Sequence, residues 1–120
     1  MRLAVFLLTV APVFAQAPVP GPDITKFEPG LYALINTSVG TITAQLFEKE
    51  AADTVNNFTA LATGRKPWLD PKTKKPVLRP LYANLIFHRV IPQFMIQTGD
   101  PTETGAHNCG VFVKDDFQNG

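Results

Sequence analysis

Arg89 and Gln97 lie in a run of apolar and β-branched residues that is interrupted at Pro92-Gln93. This composition predicts two strands, Tyr82–Ile91 and Phe94–Thr98, joined by a short turn. If the strands pair symmetrically about Gln93, Arg89 lies directly opposite Gln97, because each is four positions from the centre. Alternation along a strand then places both side chains on one face of the hairpin.

Phe94 and Met95 flank this pair and add apolar surface to it. A fixed guanidinium beside an amide, within such surface, is a small site with one strong hydrogen-bond donor. Structural interpretations stay open for each residue. Arg89 could be a surface arginine in an ion pair, and Gln97 a polar residue on a solvated sheet face. Phe94 and Met95 could belong to the core.

The elements before this hairpin are predicted from periodicity. Leu31–Asn36 and Thr41–Phe47 are rich in β-forming residues and predict a first hairpin, with one buried and one solvated face on its second strand. Apolar residues at helical spacing predict a helix over Ala51–Ala62, which Gly64 ends.

The segment Arg65–Pro80 carries six basic residues against the single Asp70. It could form an anion-binding patch, but a solvated surface loop is the simpler interpretation and the one we favour. Residues 70–73, D-P-K-T, predict a turn at the tip of this loop. Trp68 is expected to pack the loop onto the rest of the domain.

The segment after the central hairpin is predicted to be a loop through Gly110, followed by a strand over Val111–Phe117. Asp100 is interpreted as a turn residue that accepts bonds from nearby amides. His88 alternates away from Arg89 and is interpreted as a packed residue. His107-Asn108-Cys109 offers two potential metal ligands without a matching pair elsewhere, so no metal site is predicted.

The 120 residues allow one domain, which we place at residues 30–120. Residues 1–15 have a positive start, a short apolar run and V-F-A, so they predict a signal peptide and export to the periplasm or outside the cell. Residues 16–29 are rich in proline and predict an extended tether. The formal charge of +1 argues against nucleic acid and, after cleavage, membrane as partners. We expect a monomer.

The central stretch, F-H-R-V-I-P-x-F-M-I-Q-x-G-D-P, resembles the core signature of the cyclophilins, the cyclophilin-type peptidyl-prolyl cis-trans isomerases. The resemblance extends back to about Leu31, through V-G-T-I-T-A-Q-L-F and A-A-D-T-V-N-N-F-T-A-L-A-T-G. It implies a closed antiparallel barrel of eight strands with helices over its ends. Only about the first half of that domain is covered, so we expect an incomplete domain and weak catalysis by this chain alone.

The resemblance also implies a function and a role for each site residue. The function is the isomerisation of X-Pro bonds in exported proteins during folding, without cofactor or metal. Arg89 is the catalytic residue, Phe94 and Met95 line the proline pocket, and Gln97 binds substrate backbone. The alternatives are a module that binds proline-containing peptides without isomerising them, and a non-functional fragment. The family is usually richer in glycine where this chain has A-H-N-C at residues 106–109.

Overall fold

The computed structural model describes residues 22–115, and the chain divides into two units after Ala44. The predicted signal peptide and the beginning of the predicted tether lie outside the described residues. The described part of the tether is not extended throughout, contrary to expectation, because Ile24–Lys26 forms a 3-10 turn. The ring of Phe27 stacks on that of Tyr32, with 4.9 Å between the ring centres.

The predicted first hairpin is confirmed as a two-stranded sheet of β1, Leu31–Thr37, and β2, Gly40–Leu46. Thr37 closes the turn by donating from Oγ1 to the carbonyl oxygen of Gly40 at 2.7 Å. The expectation of a buried face on β2 is wrong, since no residue of either strand is more than partly buried. Ile42, on the apolar side of β2, is 39% exposed.

The predicted helix is confirmed as α1, Ala52–Ala62, and its apolar stripe packs inward through Val55 and Leu61. The helix ends at the glycine that the sequence indicated. Gly64 has a φ of +71°, and its NH donates to the carbonyl oxygen of Leu61 at 3.3 Å. A glycine in this left-handed conformation pays no steric penalty for a side chain, which is why it stops helices so often.

Residues 65–80 are more ordered than the predicted surface loop. Two short strands, β3 (Trp68–Leu69) and β4 (Pro76–Val77), pair antiparallel with Trp68 opposite Val77. The predicted turn at the tip is confirmed, since Asp70 accepts from the backbone NH groups of Lys72 and Thr73 at 2.7 and 3.1 Å.

Trp68 packs the β3–β4 hairpin onto the helix, as expected. It forms a buried cluster with Leu61 and Leu81, and its indole NH donates to the carbonyl oxygen of Arg79 at 2.8 Å. Burial of one such apolar side chain contributes about 2 kcal/mol to folding. The Leu81 NH donates to the Leu61 carbonyl oxygen at 3.0 Å, so backbone and side chains join α1 to the chain that leads into the central hairpin.

The central hairpin consists of β5, Arg89–Ile91, and β6, Met95–Gln97. Both strands are shorter than predicted. Residues 82–88 are irregular, because Asn84 has a φ of +56°, which breaks the extended conformation. The strand predicted from Val111 is also wrong for residues 111–115, which are irregular, and residues 116 and 117 lie outside the described part.

The part of the chain that the structure describes is therefore mainly β with one α-helix, in three two-stranded sheets. These sheets do not close into a barrel within residues 22–115. No helix in this range has the length and apolar character needed to cross a bilayer.

Gly64 should be one of the least replaceable positions in the second unit. A Cβ at Gly64 would lie 2.8 Å from the Pro80 ring. The substitution would also strain the backbone, because φ at this position is +71°. At Gly110, φ is +73°, but the nearest atom to a Cβ is 3.7 Å away. We expect Gly110→Ala to cost about 1–2 kcal/mol from backbone strain alone, and Gly64→Ala to cost more. Urea unfolding followed by the fluorescence of Trp68, the one tryptophan, measures both. Equal losses would contradict the clash with Pro80.

Candidate functional site

The candidate site is built on the turn that joins β5 to β6. Pro92 presets its own φ near −65°, and Gln93 follows with a φ of +59°. The NH of Phe94 then donates to the carbonyl oxygen of Ile91 at 3.1 Å. Proline followed by a residue of positive φ defines a type II turn, and this turn sets the register of the two strands.

The predicted register is confirmed, with Arg89 directly opposite Gln97 in the antiparallel ladder. The next pairs are Val90 with Ile96 and Ile91 with Met95. Alternation divides these six residues between two faces. One face, which we call the arginine face, carries Arg89, Gln97, Ile91 and Met95. The other, which we call the valine face, carries Val90 and Ile96.

Ile91 is the member of the arginine face that the sequence analysis missed. It lies across from Met95 and is 36% exposed, so it adds apolar surface beside the guanidinium. The symmetry about Gln93 contained the signal, because positions 91 and 95 are equally distant from that centre.

The arginine face is open to solvent in the described structure. Arg89 is exposed, Gln97 and Met95 are partly buried, and Phe94 is 76% exposed. Phe94 lies in the turn instead of starting β6 as predicted, so the structure does not bring it onto this face. None of the hydrogen bonds or ion pairs among residues 22–115 involves the Arg89 guanidinium, although Gln97 lies directly opposite it.

A cavity of about 290 Å³ lies next to the hairpin and includes Gln97 in its wall. His88, His107 and Cys109 also line it. Both ring nitrogens of His88 and the Nε2 of His107 are buried and have no hydrogen-bond partner in the described structure. His88 is thus partly buried, in line with its interpretation as a packed residue, but its polar atoms are not satisfied by the protein groups around it.

Among residues 22–115, no three side chains of the metal-ligating types are close enough together to hold an ion. Cys109 packs against the Leu61–Trp68–Leu81 cluster, and its carbonyl oxygen accepts from the NH of Leu69 at 2.9 Å.

Burial raises the pKa of Tyr82, and the neighbouring Cys109 raises it further.

Asp100 organises the loop that follows β6. Its carboxylate accepts from the NH groups of Thr102 and Gly105 at 2.7 and 2.6 Å, and from the Thr102 hydroxyl at 2.7 Å. Burial alone would raise the pKa of Asp100, but these bonds and one from the His107 backbone hold it well below the ordinary value. The interpretation of Asp100 as a structural turn residue is confirmed.

Comparison with known proteins identifies the class to which this fold and hairpin belong. Residues 32–119 match the family model described as "Cyclophilin type peptidyl-prolyl cis-trans isomerase/CLD". This match covers most of the chain, so the protein belongs to the cyclophilin family.

Curated relatives agree with this assignment. The chain is 42% identical over 87 residues to peptidyl-prolyl cis-trans isomerase B of Streptomyces anulatus, a match that covers 72% of this chain and 50% of the relative. It is 41% identical over 85 residues to peptidyl-prolyl cis-trans isomerase A of Mycobacterium tuberculosis, covering 71% and 47%. The match to peptidyl-prolyl cis-trans isomerase-like 1 of Aspergillus fumigatus is 38% identical over 79 residues, covering 66% and 40%. No solved structure matches the chain.

These relatives are longer than the region they share with this protein. The chain spans about half the length of the curated relatives it matches.

The anchoring of the loop by Asp100 predicts an acid-sensitive stability. Because the folded pKa of Asp100 lies below its unfolded value, the carboxylate stabilises the fold above about pH 4, and this contribution is lost as the pH falls below that. Asp100→Asn should lower the urea midpoint at pH 7 and should lose less further stability than the wild type between pH 5 and pH 3.

Asp115→Asn is the matched control, because Asp115 is exposed on an irregular segment. This variant should unfold like the wild type at both pH values. If Asp100→Asn shows the same dependence on pH as the wild type, the carboxylate does not anchor the loop as described.

Proposed function

We propose that this protein is a peptidyl-prolyl cis-trans isomerase whose catalytic residue is Arg89. The observation that carries the proposal is the register of the central hairpin. The Arg89 guanidinium, which has no hydrogen-bond or ion-pair partner among residues 22–115, lies opposite Gln97 and beside the apolar side chains of Ile91 and Met95. The printed names of the relatives support the same activity.

The chemistry follows from the peptide bond itself. Rotation about this bond is opposed by a barrier of about 18–20 kcal/mol, because the nitrogen donates its lone pair into the carbonyl. In the twisted transition state the nitrogen regains that pair and becomes able to accept a hydrogen bond. A donor placed at the prolyl nitrogen therefore binds the transition state more strongly than either ground state, and no nucleophile is required.

Arginine suits this role better than lysine. Its charge is permanent over the physiological pH range, and its planar fork presents several donors in a fixed geometry. In the proposed complex, Arg89 donates to the prolyl nitrogen and Gln97 binds the backbone of the substrate. Met95 and Ile91 contact the proline ring, and Phe94 joins them if the turn closes over the ring.

The exposure of the site to water affects how strongly Arg89 can stabilise the transition state. A guanidinium in contact with water acts through a high dielectric, so its effect on the transition state is weaker than in a closed pocket. Arg89 is exposed and Phe94 is 76% exposed, so we propose that the described residues by themselves catalyse slowly. Peptide binding without turnover is the second candidate, and this same openness favours it.

Some finer features of the protein are also proposals. The resemblance supports an eight-stranded barrel in which β1, β2, β5 and β6 are strands, and the open edges of the present sheets leave room for neighbouring strands.

The positive start, apolar run and V-F-A of residues 1–15 support export and a role with exported proteins. The near-neutral charge supports a protein without nucleic acid or membrane partners, and the monomeric state remains a prediction.

The role of Arg89 is tested by Arg89→Lys. The variant keeps the positive charge and loses the fork, so kcat/KM in a protease-coupled assay of X-Pro isomerisation should fall about 100-fold, as for loss of one preorganised donor. Arg65→Lys is the matched control, because the side-chain bond that Arg65 makes among residues 22–115 is local, from Nε to the Thr63 hydroxyl at 2.9 Å. It should keep its activity.

Two results would count against this assignment. Full turnover in Arg89→Lys would show that the fork is not used. Peptide binding that depends on Arg89, in a protein with no measurable isomerisation, would instead support the binding module.

Export is tested by sequencing the N-terminus of protein recovered from the cell envelope. We expect a mature chain that begins at Gln16, since Val13-Phe14-Ala15 offers the site for cleavage. A mature form that still begins at Met1 would refute removal of a signal peptide.

A further inference from the structure

The turn between β3 and β4 carries a concentration of positive charge. Lys72, Lys74 and Lys75 lie within four consecutive residues, and all three are exposed. We call these three residues the lysine tip. None of their ammonium groups takes part in an ion pair within residues 22–115. Like charges held this close together repel each other, so the lysines do not stabilise the turn that carries them.

Asp70 is the one acidic residue of this segment, and it does not neutralise the lysine tip. One of its carboxylate oxygens accepts from the backbone NH groups of Lys72 and Thr73, and the other accepts from the Arg79 guanidinium at 2.6 Å. These bonds turn the carboxylate away from solvent, and Asp70 is buried. Its charge is balanced by Arg79, whereas the charge of the lysine tip remains unbalanced.

The hairpin that carries the lysine tip is fixed to the rest of the second unit. Trp68 in β3 is only 3% exposed, and the NH of Leu69 donates to the carbonyl oxygen of Cys109 at 2.9 Å. The turn itself is closed by the NH of Asp70, which donates to the carbonyl oxygen of Lys75 at 3.0 Å. In a solvated loop the three lysines would be free to move apart, but this hairpin holds their backbone in place. A partner therefore binds cations that are already gathered, which lowers the entropic cost of binding.

The lysine tip and the candidate site belong to the same unit of the chain. Cys109, which is bonded to the base of the hairpin, also lines the cavity that has Gln97 in its wall. From Leu69 at the base to Thr73 in the turn the chain advances four residues, which is at most about 13 Å. An extended substrate covers a similar distance per residue, so a segment within about ten residues of a proline held at Arg89 is long enough to reach the tip.

The composition of the turn favours an acidic polypeptide over other polyanions. Residues 70–76, D-P-K-T-K-K-P, include no aromatic ring on which a base could stack and no large apolar side chain to enter a bilayer. Three lysines are also fewer than the clusters that hold proteins at anionic membranes. The formal charge of +1 gives the chain no broad positive field of the kind that attracts nucleic acid.

We propose that the lysine tip binds acidic segments of the polypeptide substrates, through the carboxylates of their Asp and Glu side chains. This inference rests on the proposed function, because it names the class of substrate: proline-containing chains with an acidic segment near the proline. Binding at the tip makes the second contact at Arg89 intramolecular and thus more frequent. The tip holds the ground state and the transition state equally, so it lowers KM and leaves kcat unchanged.

The catalytic test compares two peptides that share one X-Pro sequence. They differ in a segment about six residues from the proline, which has four Glu in one peptide and four Gln in the other. In a protease-coupled assay at low ionic strength, kcat/KM should be about fivefold to tenfold higher for the Glu peptide, the size expected for three exposed ion pairs. At about 0.5 M salt the two peptides should react equally, because exposed charges are then screened.

A triple variant, K72Q/K74Q/K75Q, should lose the preference for the Glu peptide. The matched control is K26Q/K49Q/K114Q, which removes the same charge from three other exposed lysines and should keep the preference. Circular dichroism checks that both variants keep the wild-type secondary structure. Equal loss of the preference in both would overturn the proposal, since the effect would then come from net charge and not from the tip.

Binding is measured separately, so that failure of the tip and failure of the enzyme give different results. Fluorescence anisotropy of a labelled Glu-rich peptide without proline requires no isomerisation. Its dissociation constant should rise about fivefold to tenfold in the tip variant and stay within twofold of the wild type in the control. Binding of this kind in a protein without isomerase activity would support the tip and refute the proposed function. Active protein that treats the Glu and Gln peptides alike would refute the tip and leave the proposed function intact.

The choice of polypeptide as the partner is tested with two other polyanions in the same binding assay. These are a single-stranded oligonucleotide and vesicles that contain phosphatidylserine, each tested as a competitor of the labelled peptide. We expect neither to displace the peptide at equal concentration of charge. Displacement by either one that the tip variant abolishes and the control retains would overturn the assignment to acidic polypeptides.

Discussion

The antiparallel register of β5 and β6 is the constraint on which the geometry of the candidate site depends. A shift of one residue would pair Arg89 with Ile96 or Thr98 and move Gln97 and Met95 to the opposite face of the hairpin from the guanidinium. Pro92 and the positive φ of Gln93 prevent such a shift, because they define a turn with one closing bond, from the Phe94 NH to the Ile91 carbonyl oxygen. A local backbone conformation thereby decides which side chains meet Arg89.

Two buried aspartates support the segments on either side of this hairpin in the same manner. Asp70 accepts from two backbone NH groups of its own turn and from the Arg79 guanidinium at 2.6 Å. Hydrogen bonds from Thr73 and Lys72 lead the causes that hold the pKa of Asp70 below its ordinary value, and the contact with Arg79 adds to them. Asp100 binds its loop through a similar set of amides. In both cases a short polar side chain replaces the backbone partners that an irregular segment lacks.

The buried hydrophobic cluster is small compared with the apolar surface that the described residues leave exposed. The buried cluster consists of Leu61, Trp68 and Leu81, whereas Val90, Ile96 and Phe94 of the central hairpin are each more than half exposed. The hairpin of the cyclophilin signature is therefore held in place by its backbone geometry more than by the packing of its side chains. This imbalance explains how the arginine face can have the correct register while remaining open to water.

Local rules on the sequence were sufficient for the features that depend on neighbouring residues. The helix, its stop at Gly64, the first hairpin, the turn at Asp70 and the pairing of Arg89 with Gln97 all follow from periodicity and turn chemistry. Family membership was equally visible in the central signature. The sequence did not predict features that depend on distant partners: the irregular path of residues 82–88, the β3–β4 hairpin, the exposure of Phe94 and the unsatisfied nitrogens of His88. Strand length and burial are set by what packs across a surface, and spacing along the chain carries no information about that.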